Sequence, residues 1–264
     1  MLLDNKTAVV YGAAGAIGST VARAFAREGA RVFLTGRRRA PLEALAREIA
    51  AAGGRAEAAE VDALDEAAIA RHLRAVAEQA GRLDISFNAV GLTGATTLGV
   101  PLVELDAARY LQPVRDYALS WFLTARTAAR LMLPNRAGVL MTVTALPARA
   151  GTPLNGGYGS AQAAKEALTR DLSCELASHG LRVVGLRPHG MLETPTMRKV
   201  YESKAATMGG ISWEQFGGYL ANMSHAKRSM RLDDVGGVAA FMASDRASGM
   251  TGTTVNLTMG SLDD

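Results

Sequence analysis

The chain has 264 residues, 48% of them apolar, and its 29 Lys and Arg against 25 Asp and Glu leave a small basic excess. That is enough chain for one domain with a full core, and no long basic run suggests a nucleic-acid partner. A lone Cys174 and four scattered histidines exclude an internal disulfide and show no metal-ligand spacing; with no signal-like opening and no stretch of ~18 apolar residues, a soluble cytoplasmic protein without a membrane partner is expected.

The first β-favouring run, 7–11, ends on Gly12-Ala13-Ala14-Gly15-Ala16-Ile17-Gly18 and leads into an Ala-rich helical pattern at 19–28. Glycines between a strand and a helix let the backbone approach a pyrophosphate, with free N–H groups and the positive end of the helix dipole aimed at it. Gly12, Gly15 and Gly18, with Ala16 and Ile17, are therefore expected to hold the phosphates of a dinucleotide. The second strand, 31–35, runs into Gly36-Arg37-Arg38-Arg39. A protein preferring NAD often has an acidic residue there for the ribose hydroxyls. Arg37 and Arg38 instead offer planar donor forks for a 2′-phosphate, so NADP(H) is the expected cofactor, with solvated helix-leading arginines as the alternative.

Helical patterns follow at 42–52, with Pro41 suited to a first turn, and at 66–80, 107–133 and 161–179. Strand signals alternate with them near Val61 and at 85–88, 139–144, 182–186 and 254–257. This alternation predicts an α/β fold, a single doubly wound Rossmann-type domain whose ligand lies beyond the carboxyl ends of parallel strands. The segment 190–231 breaks the rhythm, being rich in Met and Gly with Trp213, Phe216 and Tyr219. It reads equally as a helical lid over the site or as an interface or surface helix pair.

Taken together, Gly12-x-x-Gly15-x-x-Gly18, Arg37-Arg38, Asp62, Asn88-Ala89-Val90-Gly91, Tyr158 and Pro188 resemble the short-chain dehydrogenase/reductase family over nearly the whole chain. The resemblance implies a seven-stranded parallel sheet, a homodimer or homo-tetramer packed through the long helices, and a small-molecule substrate. It also implies Asp62 beside the adenine, Asn88, Ala89, Gly91 and Pro188 along the cofactor cleft, and Thr194 holding the pyrophosphate or the carboxamide. Tyr11 and Ala89 depart from the threonine and second asparagine that the family usually has.

The resemblance further implies that Tyr158 gives a proton to the substrate while the nicotinamide delivers hydride. The family's helpers are largely replaced. Its lysine position, one turn after the tyrosine, holds Gln162, which can bond a ribose hydroxyl but has no charge to lower a phenol's pKa. Lys165 shares that helix face and is expected either to reach back toward Gln162 or to lie on the surface. The serine position falls on Ala145, leaving Thr144 as the neighbouring hydroxyl, and the asparagine position falls on Tyr117. His189 is either an alternative acid near neutral pH or a loop histidine. The expected function is reduction of a carbonyl, imine or activated C=C bond, the alternative a non-catalytic NADP-binding sensor or scaffold.

Overall fold

Apolar β-branched residues at Thr7–Tyr11 are all buried and form the central strand β1 of the computed structural model, which describes residues 1–91 and 98–263. With β2 (Arg31–Gly36), β3 (Arg55–Glu60), β4 (Ile85–Asn88), β5 (Gly138–Val143), β6 (Leu181–Pro188) and β7 (Thr253–Leu257) it makes one parallel sheet in the order β3-β2-β1-β4-β5-β6-β7. This is the seven-stranded doubly wound sheet that the sequence predicts. The order reverses between β1 and β4, and such a switch point opens a crevice at the carboxyl ends of the two strands.

Strand alternation divides the core into two layers. Ala8 and Val10 face one cluster with Phe25, Phe87, Val184 and Val235, covered by α1 (Ala16–Arg27), α2 (Arg39–Ala51) and α8 (Leu232–Ala243). Val9 and Tyr11 face the other with Trp121, Leu140 and Val183, covered by α3 (Glu66–Ala80), α4 (Ala107–Met132) and α5 (Tyr158–Leu176). Among the described residues no helix is long and apolar enough to cross a membrane.

One strand lies before its expected place near Val61. β3 is the run Arg-Ala-Glu-Ala-Ala-Glu, poor in β-formers. It is held by in-register pairing with β2, Arg31 opposite Arg55 through Gly36 opposite Glu60, and by the Arg31–Glu57 ion pair at 2.5 Å. Pairing at the sheet edge here overrides local propensity. Helices α1 and α5 each begin three residues before the expected starts, at Ala16 and Tyr158. The segment 190–231 carries α6 (Pro195–Lys204) and α7 (Trp213–Met223). Phe216 and Leu220 of α7 are buried, and Leu220 lies beside Gly190 just after β6.

Candidate active site

The loop after β1 is built by close approach of backbone. Gly12 has φ +72°, and a Cβ there would stand 2.6 Å from the Ala89 carbonyl oxygen; one at Gly18 would run into the Gly12 carbonyl. These two glycines let the start of α1 press onto β1 and the end of β4. Gly15 is different: a Cβ there would meet only the Gly12 oxygen, at 3.3 Å. Gly15 is also the N-cap of α1 and provides no side-chain cap, so the first-turn N–H groups of Ala16, Ile17 and Gly18 remain available to an external acceptor. A Cβ at Gly91, across the switch point, would meet nothing within 4 Å among the described residues. Such a cradle fits the pyrophosphate of a dinucleotide.

Farther along the carboxyl edge, Arg37 and Arg38 are exposed at the end of β2, while Arg39 pairs with Glu43 at 2.7 Å. Asp62 is exposed, and its carboxylate accepts the Leu64 N–H at 3.0 Å. Asn88 is fully buried. Its amide donates to the Ser120 carbonyl at 3.1 Å and to Thr124 Oγ1 at 3.0 Å, and its Oδ1 accepts the Val90 N–H at 3.3 Å. Asn88 thus ties β4 to α4 and fixes the path of Ala89 and Val90.

Tyr158 is the first residue of α5 and is half-buried. The preceding Gly157 is tight against the Tyr110 carbonyl of α4, and Tyr110 Oη lies 2.8 Å from Ser160 Oγ, so α4 holds this helix start from one side. The Tyr158 ring meets that of Tyr117 edge to face, centroids 5.7 Å apart. Burial, and secondarily Tyr117, push the Tyr158 pKa up. Gln162, one turn on, is 2% exposed, and among the described residues its Oε1 has no hydrogen-bond partner. A buried acceptor left unsatisfied is costly, and a ribose hydroxyl is a donor that would satisfy it.

Lys165 corrects the surface alternative: it is fully buried. Its Nζ donates to the Val143 carbonyl at 2.7 Å and stands 5.7 Å from the centre of the Tyr117 ring, and burial lowers its pKa to about 7. Gln162 and Lys165 therefore share a buried face with Tyr158, with Tyr117 packed between α4 and α5. Thr144 is turned to other work, since its hydroxyl donates to Glu166 Oε1 at 3.0 Å. Ala145 brings no hydroxyl. His189, after Pro188 at the end of β6, has its Nδ1 3.2 Å from Ser261 Oγ, and burial lowers its pKa, which favours the neutral ring. Thr194 caps α6, accepting the Met197 N–H at 3.2 Å and donating to the Met191 carbonyl at 2.9 Å.

Two features escaped the sequence. Glu166 and Arg187 form a buried two-pronged ion pair, 2.7 and 2.9 Å, side chains 3% and 2% exposed. Lys204, at the end of α6, is nearly as deep. Neither shows in local patterning, because each lysine or arginine finds its partner far along the chain. Among the described residues no cluster of His, Cys, Asp or Glu is arranged to hold a metal.

A family model described as Enoyl-(Acyl carrier protein) reductase matches residues 12–261. YxbG of Bacillus subtilis (strain 168), named only as an oxidoreductase, is 30% identical over 253 residues, spanning 96% of this chain and 89% of YxbG. Sorbitol-6-phosphate 2-dehydrogenase SrlD from Erwinia amylovora superposes with a TM-score of 0.90 at 27% identity, over 97% of this chain and 100% of SrlD. A short-chain type dehydrogenase/reductase from Mycobacterium ulcerans does so with a TM-score of 0.87 at 25% identity, over 99% and 91% of the two chains. The nucleotide cradle, the sheet order and these likenesses agree: the chain belongs to the short-chain dehydrogenase/reductase family of nicotinamide-dependent oxidoreductases.

Proposed function

We propose that this protein is an NADP(H)-dependent reductase of a carbonyl, imine or activated C=C bond in a small molecule, with Tyr158 as proton donor. The observation that carries the reading is the Tyr158 ring, held at the first turn of α5 on the carboxyl side of the sheet and packed against Tyr117. Bound NADPH supplies the hydride. Residues 12–18 hold the pyrophosphate through backbone N–H groups, Arg37 and Arg38 take the 2′-phosphate, and Gln162 Oε1 accepts from a ribose hydroxyl. Asp62, Ala89, Gly91, Pro188 and Thr194 shape the remainder of the cofactor cleft.

Burial raises the pKa of Tyr158, so the phenol keeps its proton through neutral pH and is present in the form that a proton donor needs. Lys165 Nζ lies above the Tyr117 ring, where it adds a positive field in its charged form, which prevails below about pH 7. Ala145 has no hydroxyl to hold a carbonyl oxygen, and Thr144 is bonded to Glu166. An already polarised substrate such as an iminium needs least of that help. The segment 190–231 serves as a lid on the substrate, and exposed Leu111, Leu119 and Phe122 on α4 support assembly as a homodimer or homo-tetramer. The lone Cys174 accords with a reducing cytoplasm.

Fluorescence titration with NADPH and NADH separately is the first test. Tighter NADPH binding, weakened in Arg37→Ala and Arg38→Ala, is expected; no binding of either nucleotide would overturn the reading. Turnover of ketones, imines and enones follows, where Tyr158→Phe is expected to lose ~100-fold or more with cofactor affinity kept. One observation favours a second reading, a cofactor-binding sensor or scaffold: Gln162 carries no charge, and Lys165 donates to backbone. That reading requires tight NADPH binding with no turnover across the panel.

A further inference from the structure

We propose that Lys204 is a positioning residue that couples the substrate-side helix α6 to the loop that sets Tyr158. Lys204 is the last residue of α6 and only 7% exposed. A lysine is seldom buried this deeply without partners that replace its water. Here both acceptors come from the loop between β5 and α5: Nζ donates to the Pro153 carbonyl and to Asn155 Oδ1, each at 2.8 Å.

Asn155 is the link. Its side chain takes Lys204, and its carbonyl accepts the Tyr158 N–H at 3.1 Å, so two hydrogen bonds and one residue separate α6 from the backbone of Tyr158. After the short 3-10 turn Leu146–Ala148, residues 149–157 of the loop form neither helix nor strand. Leu154 stands at φ +59° and Gly156 at φ +53°, conformations that a non-glycine residue adopts only when its surroundings impose them. Those surroundings are external. The Leu154 carbonyl accepts the Gly99 N–H at 2.9 Å. Gly99, at φ +83°, is so close to α6 that a Cβ there would stand 2.7 Å from the Ser203 carbonyl oxygen.

Residue Gly99, the loop before α5 and the end of α6 therefore meet in one knot, with Lys204 as its cation. On the opposite side Tyr110 of α4 fixes Gly157 and Ser160. The start of α5 is clamped between α4 and α6. α4 packs into the core through Trp121 and Leu123, whereas α6 lies in the segment proposed above as the lid, so a change in how α6 sits is passed by Lys204 and Asn155 to the position of Tyr158. A purely structural lysine would stabilise the domain without a preferred target.

The proposal rests on Tyr158 being the acid, and its test does not depend on turnover. Full-length protein labelled with 3-fluorotyrosine gives a fluorine resonance for each of its six tyrosines, and the Tyr158 resonance is assigned by its disappearance in Tyr158→Phe. In Lys204→Met the Tyr158 resonance is expected to shift or broaden while that of Tyr11, buried in β1, stays in place. Asn155→Ala removes the side-chain acceptor and leaves the carbonyl bonded to Tyr158, so the same selective shift is expected there, which covers a failure of Lys204→Met to fold. An unchanged Tyr158 resonance in the folded variants, or an equal movement of Tyr11, overturns the coupling. If wild type turns over a substrate of the panel, kcat of Lys204→Met is expected to fall about ten-fold with NADPH affinity unchanged. If wild type turns over none, the reductase reading fails while the resonance still decides the coupling.

Discussion

Replacing Glu166 by alanine removes the carboxylate that faces Arg187 across α5 and β6. Both side chains are at most 3% exposed, so water cannot take the place of the lost carboxylate, and the guanidinium stays deep in the protein with the two bonds to Glu166 broken. Breaking one side of such a buried pair costs about 3–5 kcal/mol, and the hydroxyl of Thr144 loses its carboxylate acceptor at the same stroke, keeping the Leu186 carbonyl at 3.3 Å. Against a total stability of about 5–15 kcal/mol this is a large fraction. For a domain of this size it lowers Tm by about 6–20 °C. The double substitution Glu166→Met with Arg187→Met, which removes both charges of the pair, is expected within about 1 kcal/mol of wild type or above it. Urea unfolding of the three proteins at pH 7 measures the free energies, and thermal unfolding the Tm. A single-variant loss below about 1 kcal/mol, or a double variant worse than the single, would refute the argument that desolvation of an unpaired charge dominates here.

Three further outcomes follow from the same geometry. Between about pH 7 and 10.5 the unfolded chain keeps a proton on Lys165 that the folded chain has released, so unfolding takes up a proton and this residue makes stability rise with pH in that window. Lys165→Met is therefore expected to gain most over wild type at and below about pH 7 and to lose that advantage progressively up to about pH 10.5, as read from unfolding curves at each pH; a constant difference would count against a depressed pKa. Gly18→Ala drives a Cβ into the Gly12 carbonyl and is expected to weaken NADPH binding at least ten-fold in fluorescence titration, a cost of about 1.4 kcal/mol or more. Tyr117→Ala removes the ring between Lys165 and Tyr158; loss of an aromatic side chain from the core costs about 3–5 kcal/mol, visible by calorimetry, and unchanged stability would mean that the ring is not packed as described.

What could be read from the chain before folding was whatever depends on neighbours in sequence. Periodicity and turn chemistry marked the βα alternation, the glycine run that ends β1 and the arginines that follow β2, because a strand, its loop and the next helix are continuous in the chain. Position in a helix likewise put Gln162 and Lys165 on the face of Tyr158. The same spacing was silent on what that face would meet. Lys165 is buried because the Val143 carbonyl of β5 and the Tyr117 ring of α4 come to it, and Thr144 is engaged because Glu166 lies opposite. β3 forms where an alanine-rich run has an edge to pair with, and Lys204 finds its acceptors on a loop that no local rule connects to α6. Each of these is decided by desolvation and by partners brought from distant parts of the chain, quantities that exist only once the sheet has closed the layers upon each other.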